Sequence, residues 1–329
     1  MELYTLHLFA GAGGGILADK LLGFRTIGAV EIDEYCRRVL LNRQFDGCLD
    51  RFPIWDDVVT FRADNPATKC YIERLRGIRN RLCISGGFPC QDISAAGRGA
   101  GINGERSGLW KEFARIIGEI RPAFAFVENS NQLVRRGIDV VLGDLDELGY
   151  DVAWGVFSAA NVGAPHLRKR FWGLAVNRNI PDANSQRGEE FRDRITIETE
   201  NNRHYQLLRD LSDTLLSRNE RWNLCAGKNL AAQTLDNRRE KDAPEWQRRQ
   251  IEPRLGGMVD GLETWLDEVA TGRFWDVTEH NIPRLLDECE NRRKRLKALG
   301  NGQVPLCAAV AFVTLLNQYL TFTRRLKHV

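Results

Sequence analysis

The sequence predicts an α/β fold, a mostly parallel sheet with helices on both faces, and three observations carry that expectation. Short apolar runs alternate with stretches of helical periodicity through residues 1–177, the order that gives a parallel sheet. Most of those runs lack polar alternation, as strands buried on both faces do. The first run leads directly into Phe9-Ala-Gly11-Ala-Gly13-Gly14-Gly15 and then a helix, the way such folds hold nucleotide-type ligands.

In chain order, residues 3–9 read as a buried strand, 16–23 as a helix, 26–31 as a second strand and 33–43 as a second helix. Further strands are expected at 81–85, 123–127, 151–157 and 171–176, with helical patterns at 108–120 and 137–148. From 178 to 250 the chain carries 14 basic and 13 acidic residues and no long apolar run. That stretch reads as an inserted, irregular region. Apolar periodicity returns at 304–320, a helix able to pack back onto the first domain, and no internal repeat is present.

The chain has 329 residues, 43% hydrophobic and 28% charged, which excludes a disordered chain. No uninterrupted apolar run approaches the ~18 residues of a membrane span. Residues 1–20 lack the basic start and apolar stretch of a signal peptide, so a cytoplasmic protein without a membrane partner is expected. The eight cysteines include no C-x-x-C pair, the nearest two being Cys83 and Cys90. A zinc ribbon or redox dithiol is therefore not expected, and neither is any other metal site. The net charge, 47 − 44 = +3, hides an uneven distribution. Residues 291–329 carry eight Lys or Arg and no acid, leaving 3 − 8 = −5 for residues 1–290. Residues 152–181 are also free of acids and carry four basic residues. Two basic segments of this kind suit phosphate neutralisation.

Four local patterns point to chemistry. Glu31 ends the strand after the glycine loop, where a carboxylate can take a ribose hydroxyl pair; NAD, FAD and S-adenosylmethionine fit equally. Gly86-Gly87-Phe88-Pro89-Cys90-Gln91 follows directly on a strand, placing Cys90 at the edge where open α/β sheets build active sites. Pro89 fixes φ just before the thiol, and a long glycine-rich loop with Arg98 and Arg106 follows. Glu128 ends another strand, and Arg168 and Arg170 alternate by two, so that they would share a face. Residues 299–305 read as a turn into the last helix.

Taken in order, these pieces resemble the DNA (cytosine-5) methyltransferase family. The matching set is Phe9-Ala-Gly-Ala-Gly-Gly, Val30-Glu31-Ile32-Asp33, Asp57 after Trp55, Pro89-Cys90-Gln91, Ser107-Gly-Leu109-Trp, Glu128-Asn129, Arg168-Lys-Arg170, and Gly300-Asn301 with Pro305. Only 178–250 stays unmatched. The run from Glu252 to Leu262 and then Arg295 to Asn301 looks like the short, phage- or prophage-type bacterial members. Two positions depart from the family pattern: His166 stands where Gln is usual, and Ser130 where Val is usual.

The resemblance implies a Rossmann-like S-adenosylmethionine-dependent catalytic domain over 1–177, a small irregular target-recognition region over 178–290, and a C-terminal segment, 291–329, returning to the catalytic domain. It implies Cys90 as the nucleophile toward cytosine C6, with Glu128, Arg168 and Arg170 acting on the base. For S-adenosyl-L-methionine, leaving as S-adenosyl-L-homocysteine, it implies Phe9, Gly11, Gly13, Gly14, Glu31, Ile32, Asp57, Pro89, Leu109, Asn301 and Val304. Gln91, Ser94, Arg98 and Arg106 are the implied DNA contacts. The substrate is then double-stranded DNA with one cytosine flipped out. A monomer is expected, with a cognate restriction endonuclease as genetic partner. The rivals are a tRNA-directed enzyme on the same scaffold, whose Cys-Phe-Thr tripeptide is absent, and an inactive DNA-binding relative.

Overall fold

A computed structural model describes residues 2–89, 108–164, 166–179, 208, 212, 223–225 and 291–327. Its centre is an eight-stranded sheet. The strands are β1 (Tyr4–Leu8), β2 (Arg25–Val30), β3 (Ile54–Trp55), β4 (Leu82–Gly87), β5 (Phe124–Ser130), β6 (Tyr150–Phe157), β7 (Arg170–Asn177) and β8 (Asn223–Cys225). They lie in the order β3-β2-β1-β4-β5-β7-β6-β8. Pairing is parallel from β3 through β5, whereas β7 runs antiparallel to both β5 and β6, and β8 antiparallel to β6. The mostly parallel expectation holds, with the reversed β7 and β8 as its exceptions. The reversal of β7 carries Arg170, the first residue of that strand, to the same edge at which β1, β2, β4 and β5 end.

The helices are α1 (Gly14–Leu22), α2 (Glu34–Phe45), α3 (Pro66–Gly77), α4 (Leu109–Ile120), α5 (Leu133–Arg136), α6 (Ile138–Glu147), α7 (Arg292–Asn301) and α8 (Pro305–Lys327). One face of the sheet is covered by α1 and α8, whose Leu21, Val310 and Phe312 pack on Phe124, Phe126 and Leu174. The other face is covered by α3, α4 and α6, with Ile72, Phe113, Ile117 and Leu142 against Leu6, Ile84 and Val152. Burial on both faces explains the continuous apolar strands. Of the described residues between 178 and 290, β8 extends the sheet and Leu208 is buried in the α8-side cluster.

By length and composition the helical stretch Arg292–Thr323 reaches the minimum for a membrane span, which no uninterrupted apolar run in the sequence does. Its apolarity has a local cause, since Leu306, Ala309, Val310, Val313 and Leu315 are buried against the sheet. Phe312 meets the rings of Phe24, Phe124 and Phe126 edge-on at 5.1, 6.2 and 5.3 Å. Phe312→Ala would lose that aromatic junction and leave a cavity, a cost of about 3–5 kcal/mol. Urea unfolding should show it as a lower midpoint with an unchanged slope.

Candidate functional site

Every predicted site residue that the structure describes lies at or next to the C-terminal edge of the parallel strands. After β1 the chain turns through Phe9 at φ 55° and Gly11 at φ 56°, and Gly13 at φ 96° caps α1. Left-handed backbone favours glycine, so the loop needs its glycines at 11 and 13. A side chain at Gly11 would meet nothing within 4 Å. The loop is open at that residue, whereas side chains at Gly13, Gly14 and Gly15 would meet Leu40 and Gln303. Beside it lie the N–H groups of the first turn of α1, which have no acceptor within the helix.

Glu31 follows β2 and is buried. One carboxylate oxygen accepts the Gly11 N–H at 2.6 Å and the other the Asp33 N–H at 2.7 Å. Burial raises its pKa above the usual carboxylate value, and these backbone donors oppose the rise. Each oxygen keeps a lone pair for another donor, as a ribose diol would require. Beside it Ile32 is 72% exposed, an apolar surface at the mouth of the loop. Asp57 follows β3, whose Trp55 carbonyl accepts from the Glu31 N–H, and its carboxylate accepts from Val59 N–H at 2.9 Å. The Phe9 ring stacks on Phe113, which stacks on Trp110, which in turn meets Phe88. This aromatic row ties the glycine loop to the segment entering Cys90, and Leu109 packs against the same cluster.

Cys90 itself lies outside the described residues, as do Gln91, Ser94, Arg98 and Arg106. The segment leading to the thiol is held firmly. Asn129 Nδ2 donates to the Phe88 carbonyl at 3.0 Å, and its Oδ1 accepts from Ser130 N–H at 2.7 Å. Glu128 is 8% exposed and pairs with Arg170 Nε at 3.0 Å. The register puts Glu128 opposite Gly87 on β4 and Trp172 on β7, so Arg170 is its diagonal cross-strand neighbour. A Cβ on Gly87 would fall on the Glu128 carboxylate; the glycine makes room for the acid. Burial pushes the Glu128 carboxyl up to about 7, against the pull of Arg170 and then Arg168.

Arg168 and Arg170 both act on Glu128, but not as adjacent residues of one strand. Arg168 precedes β7 at φ 37°, and its guanidinium donates to the carbonyls of Gly300 and Gly302 at 2.8 and 2.5 Å. It thereby fastens the junction between α7 and α8. His166, two residues earlier, has its pKa lowered by burial and by Arg168. The turn expected at 299–305 is shorter than its sequence reading, because residues 299–301 complete α7. Asn301 is exposed at the end of that helix, and Val304 packs against the α8-side core.

Sequence reasoning passed over Gln303, whose backbone lies so close to Gly14 that a Cβ there would fall on its carbonyl oxygen. Gly14→Ala should push the two segments apart, a strain of about 1–3 kcal/mol. Scanning calorimetry is expected to show it as a thermal midpoint lowered by several degrees. Lys297 of α7 adds a second tie, donating to the α2 N-cap residue Asp33 at 2.8 Å. Among the described residues no three His, Cys, Asp or Glu side chains cluster as metal ligands do.

The chain is 32% identical over 182 residues to the type II methyltransferase M.CviJI of Paramecium bursaria Chlorella virus IL3A, covering 54% of this chain and 44% of that protein. It is 35% identical over 169 residues to M.NgoFVII of Neisseria gonorrhoeae, covering 50% and 41%. This chain thus spans less than half the length of either. The S. pombe Dnmt2 methyltransferase structure matches with a TM-score of 0.40 at 20% identity, covering 54% of this chain and 51% of that one. The family model for C-5 cytosine-specific DNA methylases matches residues 3–298, nine-tenths of the chain, and the protein belongs to that family.

Proposed function

We propose that the protein methylates C5 of a cytosine flipped out of a specific duplex DNA sequence, using S-adenosyl-L-methionine and a covalent Cys90–C6 bond. One observation carries the reading: a buried carboxyl, Glu128, is paired with Arg170 at the sheet edge beside the segment that enters Cys90. Cytosine C5 is a poor nucleophile until something adds to C6. The Cys90 thiolate adds there, the C5=C6 π pair moves to give an enamine, and C5 becomes nucleophilic. Near neutral pH a share of Glu128 is the neutral acid, able to donate to N3 and accept from the N4 amino group. Arg170 and Arg168 place positive charge over the adduct. Arg168, whose guanidinium also fastens Gly300 and Gly302, is assigned to the base O2, with Arg170 holding Glu128 beside it.

The residues around the glycine loop fit the cofactor: Glu31 for the ribose, Asp57 for the adenine amino group, Ile32, Phe9, Pro89 and Leu109 as apolar walls, and Gly11, Gly13 and Gly14 for the methionine end. Asn301 and Val304 flank it from the C-terminal segment. S-adenosyl-L-methionine held there supplies the electrophilic methyl group that the activated C5 takes. Loss of the C5 proton to a base and expulsion of the Cys90 thiolate then restore aromaticity and free the enzyme. Residues 178–290 are assigned to target recognition, because base edges are read by Arg, Asn and Gln side chains, in which the segment is rich. Gln91, Ser94, Arg98 and Arg106 would contact the DNA. The biological role is restriction-modification or phage self-protection in a bacterial cytoplasm, with a restriction endonuclease as genetic partner and the enzyme acting as a monomer.

The test is transfer of labelled methyl from S-adenosyl-L-methionine to a diverse genomic duplex DNA, with tRNA in parallel. Label in DNA 5-methylcytosine is expected. Label confined to tRNA would assign the scaffold to RNA, and label in neither would overturn the reading.

A further inference from the structure

Gln303 lies between α7 and α8 and touches both halves of the site. Its backbone packs on Gly14 of the glycine loop. Its Oε1 reaches within 2.5 Å of where a Cβ on Gly15 would stand, a point also 3.0 Å from His7 Nδ1. Its Nε2 comes within 3.7 Å of the Cβ position of Gly87, the glycine that accommodates Glu128. One carboxamide thus runs from the first turn of α1 to the residue flanking the buried acid.

The surroundings hold it from two sides. Outside, Arg168 grips the carbonyls on either side of Asn301. Beneath the loop, His7 Nε2 lies 2.7 Å from Asp19 Oδ2, and the hydroxyls of Thr5 and Thr26 donate to the same oxygen. All four of these residues are buried. With three donors on one carboxylate oxygen the His7 ring is fixed, leaving Nδ1 toward Gly15 and Gln303. Burying so polar a set is costly where apolar side chains would fill the space as well.

We propose that Gln303 is a positioning residue that couples the cofactor loop to the Glu128 edge and so sets the alignment of the methyl donor with the target carbon. The inference rests on the functional reading above. Transfer needs reacting atoms about 3–3.5 Å apart, and an error of about 1 Å can cost about 10²-fold. Addition of Cys90 to C6 makes no such demand on the cofactor side.

The two steps can be read separately on the full chain. Single-turnover methyl transfer reports alignment. Release of tritium from [5-³H]cytosine DNA without cofactor reports thiolate addition, protonation at C5, removal of the label as a proton, and thiolate expulsion. Gln303→Leu is expected to lower methyl transfer by about 30- to 100-fold while tritium release and the thermal midpoint stay near wild type. Gln303→Met, unbranched and close in volume, should do the same and serves if the leucine variant fails to fold. Equal loss of both rates would overturn the inference, since Gln303 would then act through Glu128 or the fold, and so would unchanged transfer. Wild-type protein that methylates no DNA would instead bring down the functional reading itself.

Discussion

Cys90→Ser should abolish covalent trapping on duplex DNA containing 5-fluorocytosine and lower methyl transfer by about 10⁴-fold or more. The substitution changes one atom, but a serine hydroxyl is far harder to ionise than a thiol, and addition to C6 needs the anion. Trapping is a clean readout because fluorine at C5 removes the proton whose loss would release the adduct. Of the other described thiols, Cys36, Cys83 and Cys307 are buried, and burial raises Cys83 well above its ordinary value and pushes Cys36 and Cys307 up to about 12. Cys48 and Cys70 are exposed, so the serine variant and not burial decides which thiol attacks. The segment entering Cys90 is fixed up to Pro89. Asn129 holds the Phe88 carbonyl, the aromatic row fixes Phe88 itself, and Pro89 limits the backbone that follows. A denaturing gel after incubation with the fluorinated DNA and cofactor decides the matter. A shifted band that persists in the serine variant would mean that another nucleophile attacks.

Where burial decides the residue type, the sequence is a good guide; where function depends on a gap, it is not. Strands β1, β2, β4 and β5 are readable because both their faces are largely buried and most of their residues are apolar or small. The two-residue β3 is too short for any pattern. Helix α3 buries only Thr68, Ile72 and Leu75, though Asn65 capping a helix with Pro66 at its start was a usable signal. Helix α7 buries Ala298 alone, so it has no apolar stripe to detect. The direction of β7 depends on its connections, not on its residues. At the site, Cys90 and Glu31 stand out as candidates because each follows a strand, and Glu128 because an acid interrupts the apolar run of β5 near its end. Gln303 does not, because its place is defined by side chains that Gly14, Gly15 and Gly87 lack. Arg168 shows the limit of spacing: two residues from Arg170, it sits before the strand and reaches the α7–α8 junction instead.

Glu128→Gln tests the acid itself. A glutamine amide can donate to N3 and its carbonyl can accept from N4, so recognition of the base survives while proton transfer does not. The expected loss in single-turnover methyl transfer is about 10²- to 10⁴-fold, with DNA affinity little changed. The pH profile should change in a definite direction. With the carboxyl pushed up to about 7, the wild-type rate should decline above that pH as the acid form disappears, and the glutamine variant should lack this decline. Stability supplies an independent reading. The folded pKa is raised from 4.5 to about 7, so the folded state holds the proton more tightly than the unfolded chain. The associated stability is complete below about pH 4.5 and is lost as pH rises through 7, roughly 3 kcal/mol in all. Between pH 4.5 and 8 the wild type should therefore lose about that much more unfolding free energy than Glu128→Gln. Urea titrations of both proteins across this range measure the difference. Parallel curves would show that Glu128 stays ionised throughout, and its part in the reaction would then be that of a hydrogen-bond acceptor alone.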